Sequence, residues 1–419
     1  MQLNVRTLIG KKKTSYKKKD TNIISQRLII SIICLMGISS QFASDSYVPS
    51  LPYIAEYFDA SYKLIEFTIS AYFIGMGFAT IFSGQLSDMF GIKRILLLGY
   101  CIFIVASFFC LISSSENELI FFRFLQGIGM GCPLVLFRVV MLNTFQDRQS
   151  LTKASLIITS IVSFTPPLSP ISGGIIQSLL GWRYNFVLML IIGILTAILI
   201  KRYLHDTSSK KQNIKNHFFY SYIKLLKNLN FMLNACCAGF ALSITFIFIT
   251  VSPYFFQIEL NYNALQYSII ASAIILPSAI VMIILRKYIS EINMRLLMIC
   301  CAIISIMGGI FLIFTYYIFG LSAICIALGV TIIFMGNTFQ YTAAYVSAYQ
   351  NVKTSLGIAC SLYSLIQIMI TSLFTGIVAY LGIDSQEKLG MIIIIPAIFI
   401  FLIKILHNPV SEKASSQKR

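Results

Sequence analysis

Charge is what this chain has least of. Only 11% of its 419 residues are Asp, Glu, Lys or Arg, against 57% hydrophobic, and mean hydropathy is +0.83. The surface of a soluble domain needs about a quarter charged residues, so a water-soluble fold is excluded. Histidine is nearly missing: His205, His217 and His407 are too scattered to hold a metal. CxxC and Cys/His ligand spacings do not occur. The ten cysteines (Cys34, Cys101, Cys110, Cys132, Cys236, Cys237, Cys300, Cys301, Cys325 and Cys360) all fall in apolar runs, as small apolar fillers. A phosphate-cradling GxxxxGK[ST] is lacking, as is any soluble stretch large enough for bond-breaking chemistry. The chain therefore reads as a non-enzyme without cofactor or metal.

What is present is a series of twelve apolar runs, roughly 26–48, 65–84, 95–114, 119–141, 154–177, 184–204, 231–253, 265–285, 294–315, 320–342, 355–380 and 389–406. Runs near 20 residues match a hydrocarbon core of about 30 Å. The alternation of a β-barrel is missing, so helices are the only viable spans. The expected fold is an all-α integral membrane protein with twelve transmembrane helices in two six-helix bundles.

The polar interruption HDTSSKKQNIKNHFFYSYIKLLKN, 205–228, divides the chain. This predicts a basic tail (1–25), an N-terminal six-helix bundle (26–204), a cytoplasmic linker (205–228), a C-terminal six-helix bundle (229–406) and a second tail (407–419). Lys153-Ala-Ser opens the fifth run and Lys353-Thr-Ser the eleventh; SLLG ends the one at Gly181 and AYLG the other at Gly382. Halves with an even number of spans share one orientation, the parallel repeat of a two-bundle secondary transporter.

Basic residues are unevenly placed. With the N-terminus inside, 26 of 32 Lys and Arg fall on the cytoplasmic side and three, Lys63, Arg183 and Lys388, outside. Arg27, Arg123 and Arg138 lie in or at the ends of helices. This bias predicts a multi-pass inner-membrane protein with both termini in the cytoplasm. The KKKTSYKKK stretch at 11–19 then reads as a topology and lipid-headgroup feature, not a nucleic-acid contact, despite the net charge of +17. It does not read as a cleaved signal: the run after it is long and ends in no small-x-small site.

Three stretches carry candidate function. In GQLSDMFGIKR (84–94), Gly84 permits close helix approach and Gly91 a tight turn with positive φ. Asp88 suits a helix N-terminus or a nearby cation, and Lys93 and Arg94 face the cytoplasm. A plain solvated turn is the alternative. FFRFLQGIGMG (121–131) puts Arg123 inside a span, one turn past Glu118, followed by Gln126 and a small-residue face. Such an arginine either faces a cavity or partner, or snorkels to the outer interface. SFTPPLSPISGGIIQSLLGWRYNF (163–186) packs Pro166, Pro167, Pro170, Gly173 and Gly174 into the fifth run. They make a kinked helix able to seal the boundary between rocking bundles, or only an ordinary kink.

One acid stands out. From Arg27 to Asp45 is about 27 Å of helix, which puts Asp45 near the outer edge of the hydrocarbon. Yet SSQFASD groups Ser39, Ser40, Gln41 and Ser44 with it, and Gln41 and Asp45 share a helix face. A polar stripe in a span must face a cavity, and Asp45 is the best-placed carboxylate for one.

These segments resemble the N-terminal-half motifs of the major facilitator superfamily. DSYVPSLP (45–52) is similar to the DxYLPxLP segment of its bicyclomycin-resistance (Bcr/CflA) drug-efflux branch, and TISAYFIGMGFATIFSGQLSD, GWRYNFVL, VSPYFF and SLGIACSLYSLIQ extend the likeness over essentially the whole chain. The resemblance implies proton-driven efflux of small hydrophobic or cationic compounds by alternating access, with the proton gradient as energy source. It assigns proton or cation sensing to Asp45 and conformational gating to the 84–94 loop. Met89 and Ile92 stand where the family has basic residues, and Leu142-Asn143 where it often has Arg-Asp, which implies a looser latch on the cytoplasmic face. The expected partners are a small-molecule substrate, protons and membrane lipids, with no nucleic acid, and the expected state is a monomer. Two rivals stay open: an importer or siderophore or metabolite transporter of the same fold, and a non-transporting sensor or assembly protein.

The charge bias makes a direct prediction. A cysteine placed near Lys388 should be labelled by a membrane-impermeant maleimide added from the periplasm, while one placed in 205–228 should stay unlabelled. The reverse pattern contradicts the assignment.

Overall fold

A computed structural model describes residues 23–145, 148–204, 217–285, 293–349 and 356–407. The basic stretch 11–19, Lys353 and residues 205–216 lie outside the described residues. In chain order the helices are α1 (Ile23–Asp45), α2 (Leu51–Phe58), α3 (Tyr62–Phe90), α4 (Ile92–Ile112), α5 (Glu116–Thr144), α6 (Arg148–Ser163), α7 (Thr165–Leu179) and α8 (Arg183–Tyr203). They continue as α9 (His217–Leu226), α10 (Leu229–Pro253), α11 (Ala264–Leu285), α12 (Met294–Phe319), α13 (Ala323–Tyr349), α14 (Leu356–Leu381) and α15 (Gln386–Leu406). Strands are absent among the described residues. Twelve spans are long and apolar enough to cross a membrane, as the sequence predicts. The even number puts the start of α1 and the end of α15 on one face, called here the terminal face.

Two spans differ instructively from simple apolar runs. The first does not stop at Asp45. After α1 the chain makes a 3-10 turn over Val48–Ser50 and re-enters a helix as α2, giving one span from Arg27 to Phe58 of 32 residues. Pro49 and Pro52 each fall in the first turn of a restarted helix, where a missing N–H donor costs nothing. DSYVPSLP is therefore a break inside the span, and the helical chain continues past Asp45 to Phe58. The fifth span is likewise two helices. α6 stops at Ser163, and α7 restarts with Pro166 and Pro167 in its first turn and Pro170 inside.

The spans α1 to α8 pack mainly on one another, as do α10 to α15, and the two sets meet along α3 against α14 and α7 against α11. Small residues set the closest approaches. A methyl added at Gly127 of α5 would lie 1.9 Å from the carbonyl oxygen of Tyr72 on α3, so no larger residue fits without separating the helices. Gly181 and Gly382, paired by the sequence repeat, both take positive φ, +93° and +61°, just past α7 and α14. Each supplies the left-handed turn that an L side chain resists.

Candidate functional site

The SSQFASD run is wired to three other helices. Ser39 Oγ bonds Tyr100 of α4 at 2.8 Å, and the Ser40 carbonyl accepts from Tyr72 of α3 at 3.3 Å. Gln41 Nε2 donates to Asp45 Oδ2 at 2.5 Å and Ser44 Oγ donates to Oδ1 at 2.5 Å. The helical i, i+4 spacing of Gln41 and Asp45 delivers this contact, as the sequence predicts. Asp45 is 1% exposed, so in this conformer the carboxylate is packed in protein.

Arg123 is 0% exposed, which rules out the snorkelling alternative. Its Nη1 donates to the Ala43 carbonyl at 2.9 Å and to Gln126 Oε1. Gln126 in turn donates to Ser107 at 2.7 Å. The guanidinium is sandwiched by Tyr47 and Tyr72, with ring centroids 4.1 and 4.4 Å away. Cation–π contacts contribute about 0.5–2 kcal/mol each, less than the several kcal/mol that desolvating a guanidinium costs. Its Nε and Nη2 have no partner. Asp45 is near enough for the two charges to act on each other, yet they form no ion pair. Asp45 thus takes its hydrogen bonds from an amide and a hydroxyl, while the guanidinium that acts on it electrostatically keeps two nitrogens unpartnered.

The other predicted residues line the seam between the two sets of helices. On the terminal face, a methyl at Gly84 would lie 2.6 Å from Ser361 Oγ and 3.2 Å from the Gly357 carbonyl of α14. The 84–94 segment is thus seated on the start of α14, although Lys353 itself is outside the described residues. Gly91 has φ +92° between α3 and α4, the turn the motif predicts. Asp88 is half-buried and Arg94 exposed, and each makes interactions; Lys93 is half-buried. On α7, a methyl at Gly174 would lie 2.1 Å from Ser268 Oγ of α11, and Ser272 of α11 donates to the Pro167 carbonyl at 2.6 Å. A methyl at Gly173 would strike the Ser46 carbonyl at 1.7 Å, next to Asp45. Gly173 therefore ties the broken fifth span to the Asp45 turn, and Gly174 and Pro167 tie it to the other half, while Pro166 and Pro170 shape the restarted helix. Asp45, Gln41 and Arg123 form one cluster; the 84–94 residues form another near the terminal face.

Two further charges stand at the seam with no role assigned by the sequence reading, Glu66 buried and Arg138 half-buried. Glu66 of α3 is 2% exposed with Oε2 unpartnered, although it lies near the start of its span. Arg138 of α5 lies 4.7 Å over the ring of Tyr345 on α13, across the seam, with Nη1 unpartnered. Their signal was available: each is a charge inside an apolar run, with an aromatic residue one turn or less away.

The sequence profile described as the Major Facilitator Superfamily matches residues 33–371. The chain belongs to the Major Facilitator Superfamily. Members are transporters, not enzymes, so the protein is a multi-pass membrane transporter of a small-molecule substrate. It is similar to the Multidrug resistance protein MdtL of Klebsiella pneumoniae, 24% identical over 87% of this chain and 92% of the relative. The MdtL of Vibrio parahaemolyticus is 23% identical over 88% and 93%. The Uncharacterized MFS-type transporter YdgK of Bacillus subtilis is 30% identical over 55% of this chain and 59% of its own length. Among solved structures, a D-xylose-proton symporter superposes with TM-score 0.72 at 14% identity, covering 90% of this chain and 97% of the other, which is a likeness of fold. The resemblance to a superfamily of two-bundle transporters seen in GQLSDMFGIKR, FRFLQGIGMG and PPLSPISGG is thus matched over most of the chain.

If the superfamily member cycles by undocking the 84–94 segment, locking it should stop turnover. In a background with the ten native cysteines replaced, Gly84→Cys with Ser361→Cys should cross-link on mild oxidation, since the two positions approach the roughly 3.8 Å Cβ spacing of a disulfide. Transport should fall at least tenfold and return on reduction. Cross-linked protein that transports at the reduced rate contradicts the docking role.

Proposed function

We propose that the protein is a proton-driven exporter of small hydrophobic or cationic compounds, working by alternating access. In this reading it sits in the inner membrane with both termini cytoplasmic, acts as a monomer among membrane lipids, and uses the proton gradient with no cofactor. The observation that carries it is Asp45: a carboxylate buried inside a span, held by Gln41 and Ser44, beside an arginine with unused donors. Relatives named multidrug resistance proteins favour export and hydrophobic or cationic cargo over the importer reading.

Each residue then has a physical task. A charged carboxylate is costly in a desolvated site, so proton binding at Asp45 eases passage through a state in which that site is closed to water. When the proton leaves, the charge of Arg123 and its unpartnered donors help to hold the carboxylate. A lipophilic cation entering near Asp45 competes with the proton for the same negative charge, which links the two movements in opposite directions. Gly84, Asp88 and Gly91, with Lys93 and Arg94, form the latch on the terminal face. The proline-broken α7, through Gly173 and Gly174, passes a change at the Asp45 turn to α11 of the other half.

The expected outcome of Asp45→Asn is a folded, membrane-inserted protein whose ethidium efflux no longer responds to an imposed proton gradient. Its rate should drop at least tenfold, and the pH profile that remains should be flat. A variant exporting ethidium with the wild-type pH profile would show Asp45 to be a structural charge.

A further inference from the structure

On the face opposite the termini, the seam is closed by a set of contacts between the two halves. The ring of Tyr62 on α3 lies 5.5 Å from that of Tyr254, in the π-helical turn Tyr254–Glu259 after α10. Gln257 Nε2 of that turn donates to the Pro49 carbonyl at 3.0 Å. Lys63 Nζ donates to the Leu381 carbonyl at the end of α14 at 3.3 Å. A little deeper, Ser70 Oγ donates to Thr375 Oγ1 at 3.0 Å. Glu66, the fifth residue of α3, sits between these contacts, one turn past Tyr62 and one turn before Ser70, on the same face of the helix.

A carboxylate there has no visible means of keeping its charge. It is 2% exposed, and Oε2 has no hydrogen-bond donor. The cation that acts on it is Lys63, but that ammonium is at the surface on the Leu381 carbonyl and makes no ion pair with it. The other groups facing this region add no positive charge. They are Tyr62 on α3, with Tyr47 and Tyr267 near it, and Tyr254, Glu259 and Asp384 across the seam. Asp384 is already paired with Lys388 at 2.6 Å. An unpaired buried carboxylate costs several kcal/mol, and it is relieved by taking a proton. Opening the seam between α3 and the Tyr254 turn would return Glu66 to water, where it ionises freely.

We propose that Glu66 is a second proton-binding site, distinct from Asp45, which must be loaded for the seam on the face opposite the termini to close. Closing takes one proton from water on that face onto a carboxylate oxygen; opening returns it. Acid on that side therefore favours the closed seam. The inference deepens the alternating-access reading and rests on it, but it needs neither Asp45 nor any particular cargo. It also gives the Tyr62–Tyr254 contact a function beyond packing, as the cover that excludes water from the neutral acid.

The test is the distance across the seam against pH, by double electron–electron resonance on the full chain in lipid nanodiscs. Spin labels go on Glu56→Cys of α2 and Tyr380→Cys of α14, both at exposed residues, with the native cysteines replaced. The ratio of closed to open populations should rise as pH falls, by up to about tenfold per pH unit for one coupled proton. Glu66→Gln, of the same shape and permanently neutral, should hold the seam closed with a ratio that ignores pH. Glu66→Asp should keep a pH dependence, and Asp45→Asn, which removes the other proton site, should leave the Glu66-linked part of it in place. A Glu66→Gln seam that follows pH as the wild type does overturns the proposal. A wild-type seam that moves on adding ethidium but ignores pH overturns it too, leaving the transport reading intact. A seam immobile at every pH, with and without ethidium, sinks both.

Discussion

Water is missing from the middle of a bilayer, and every charge placed there must be neutralised by something else. This constraint organises the protein. Its apolar runs form helices because a helix satisfies its own backbone groups where no solvent can. The few charges left inside then mark the places where the structure has work to do. Asp45 leans on Gln41 and Ser44, and Arg123 on Ala43, Gln126 and two tyrosine rings. Lys404 donates to Asn234 at 2.6 Å. Glu66 and Arg138 retain unpartnered atoms on the seam. Charges bonded within one half belong to its packing or its binding site. Charges on the seam, with atoms unspent, are sensitive to whether the seam is open or shut.

Glycine and proline supply the complementary property, close contact that can still be broken. A glycine lets two backbones touch without interlocking side chains, so separating them costs little reorganisation. That is the arrangement at Gly84 on α14 and Gly174 on α11, one toward each face. The proline restarts at Pro49, Pro52, Pro166 and Pro167 put flexible breaks beside Asp45 and at the seam. Gly173 against the Ser46 carbonyl joins the two breaks, so that a shift in the first span is felt in the fifth. Site and gate are thus parts of one connected element.

Most of the fold was legible in the sequence, because the length and apolarity of a span are read directly from composition. The halves, their repeat at Gly181 and Gly382, and the pairing of Gln41 with Asp45 followed from spacing alone. What was not legible depended on tertiary context. The first apolar run ends near residue 48, yet the chain, packed against α3, α7 and α11, restarts as helix to Phe58. Glu66 lies near the start of its run, and what covers it, the Tyr254 turn of the other half, is far away in sequence. Arg123 could be proposed as buried or snorkelling, and the aromatic sandwich that decides the matter comes from residues far from it in sequence.

The central claim is that proton and cargo move in opposite directions through one site. Purified full-length protein in proteoliposomes, with a pH-sensitive dye inside and ethidium added outside, tests it in a single trace. If the account holds, ethidium entering the lumen drives protons outward, the lumen turns alkaline, and both signals vanish together in Asp45→Asn. Ethidium uptake that acidifies the lumen, or that leaves its pH unchanged, contradicts exchange and with it the account.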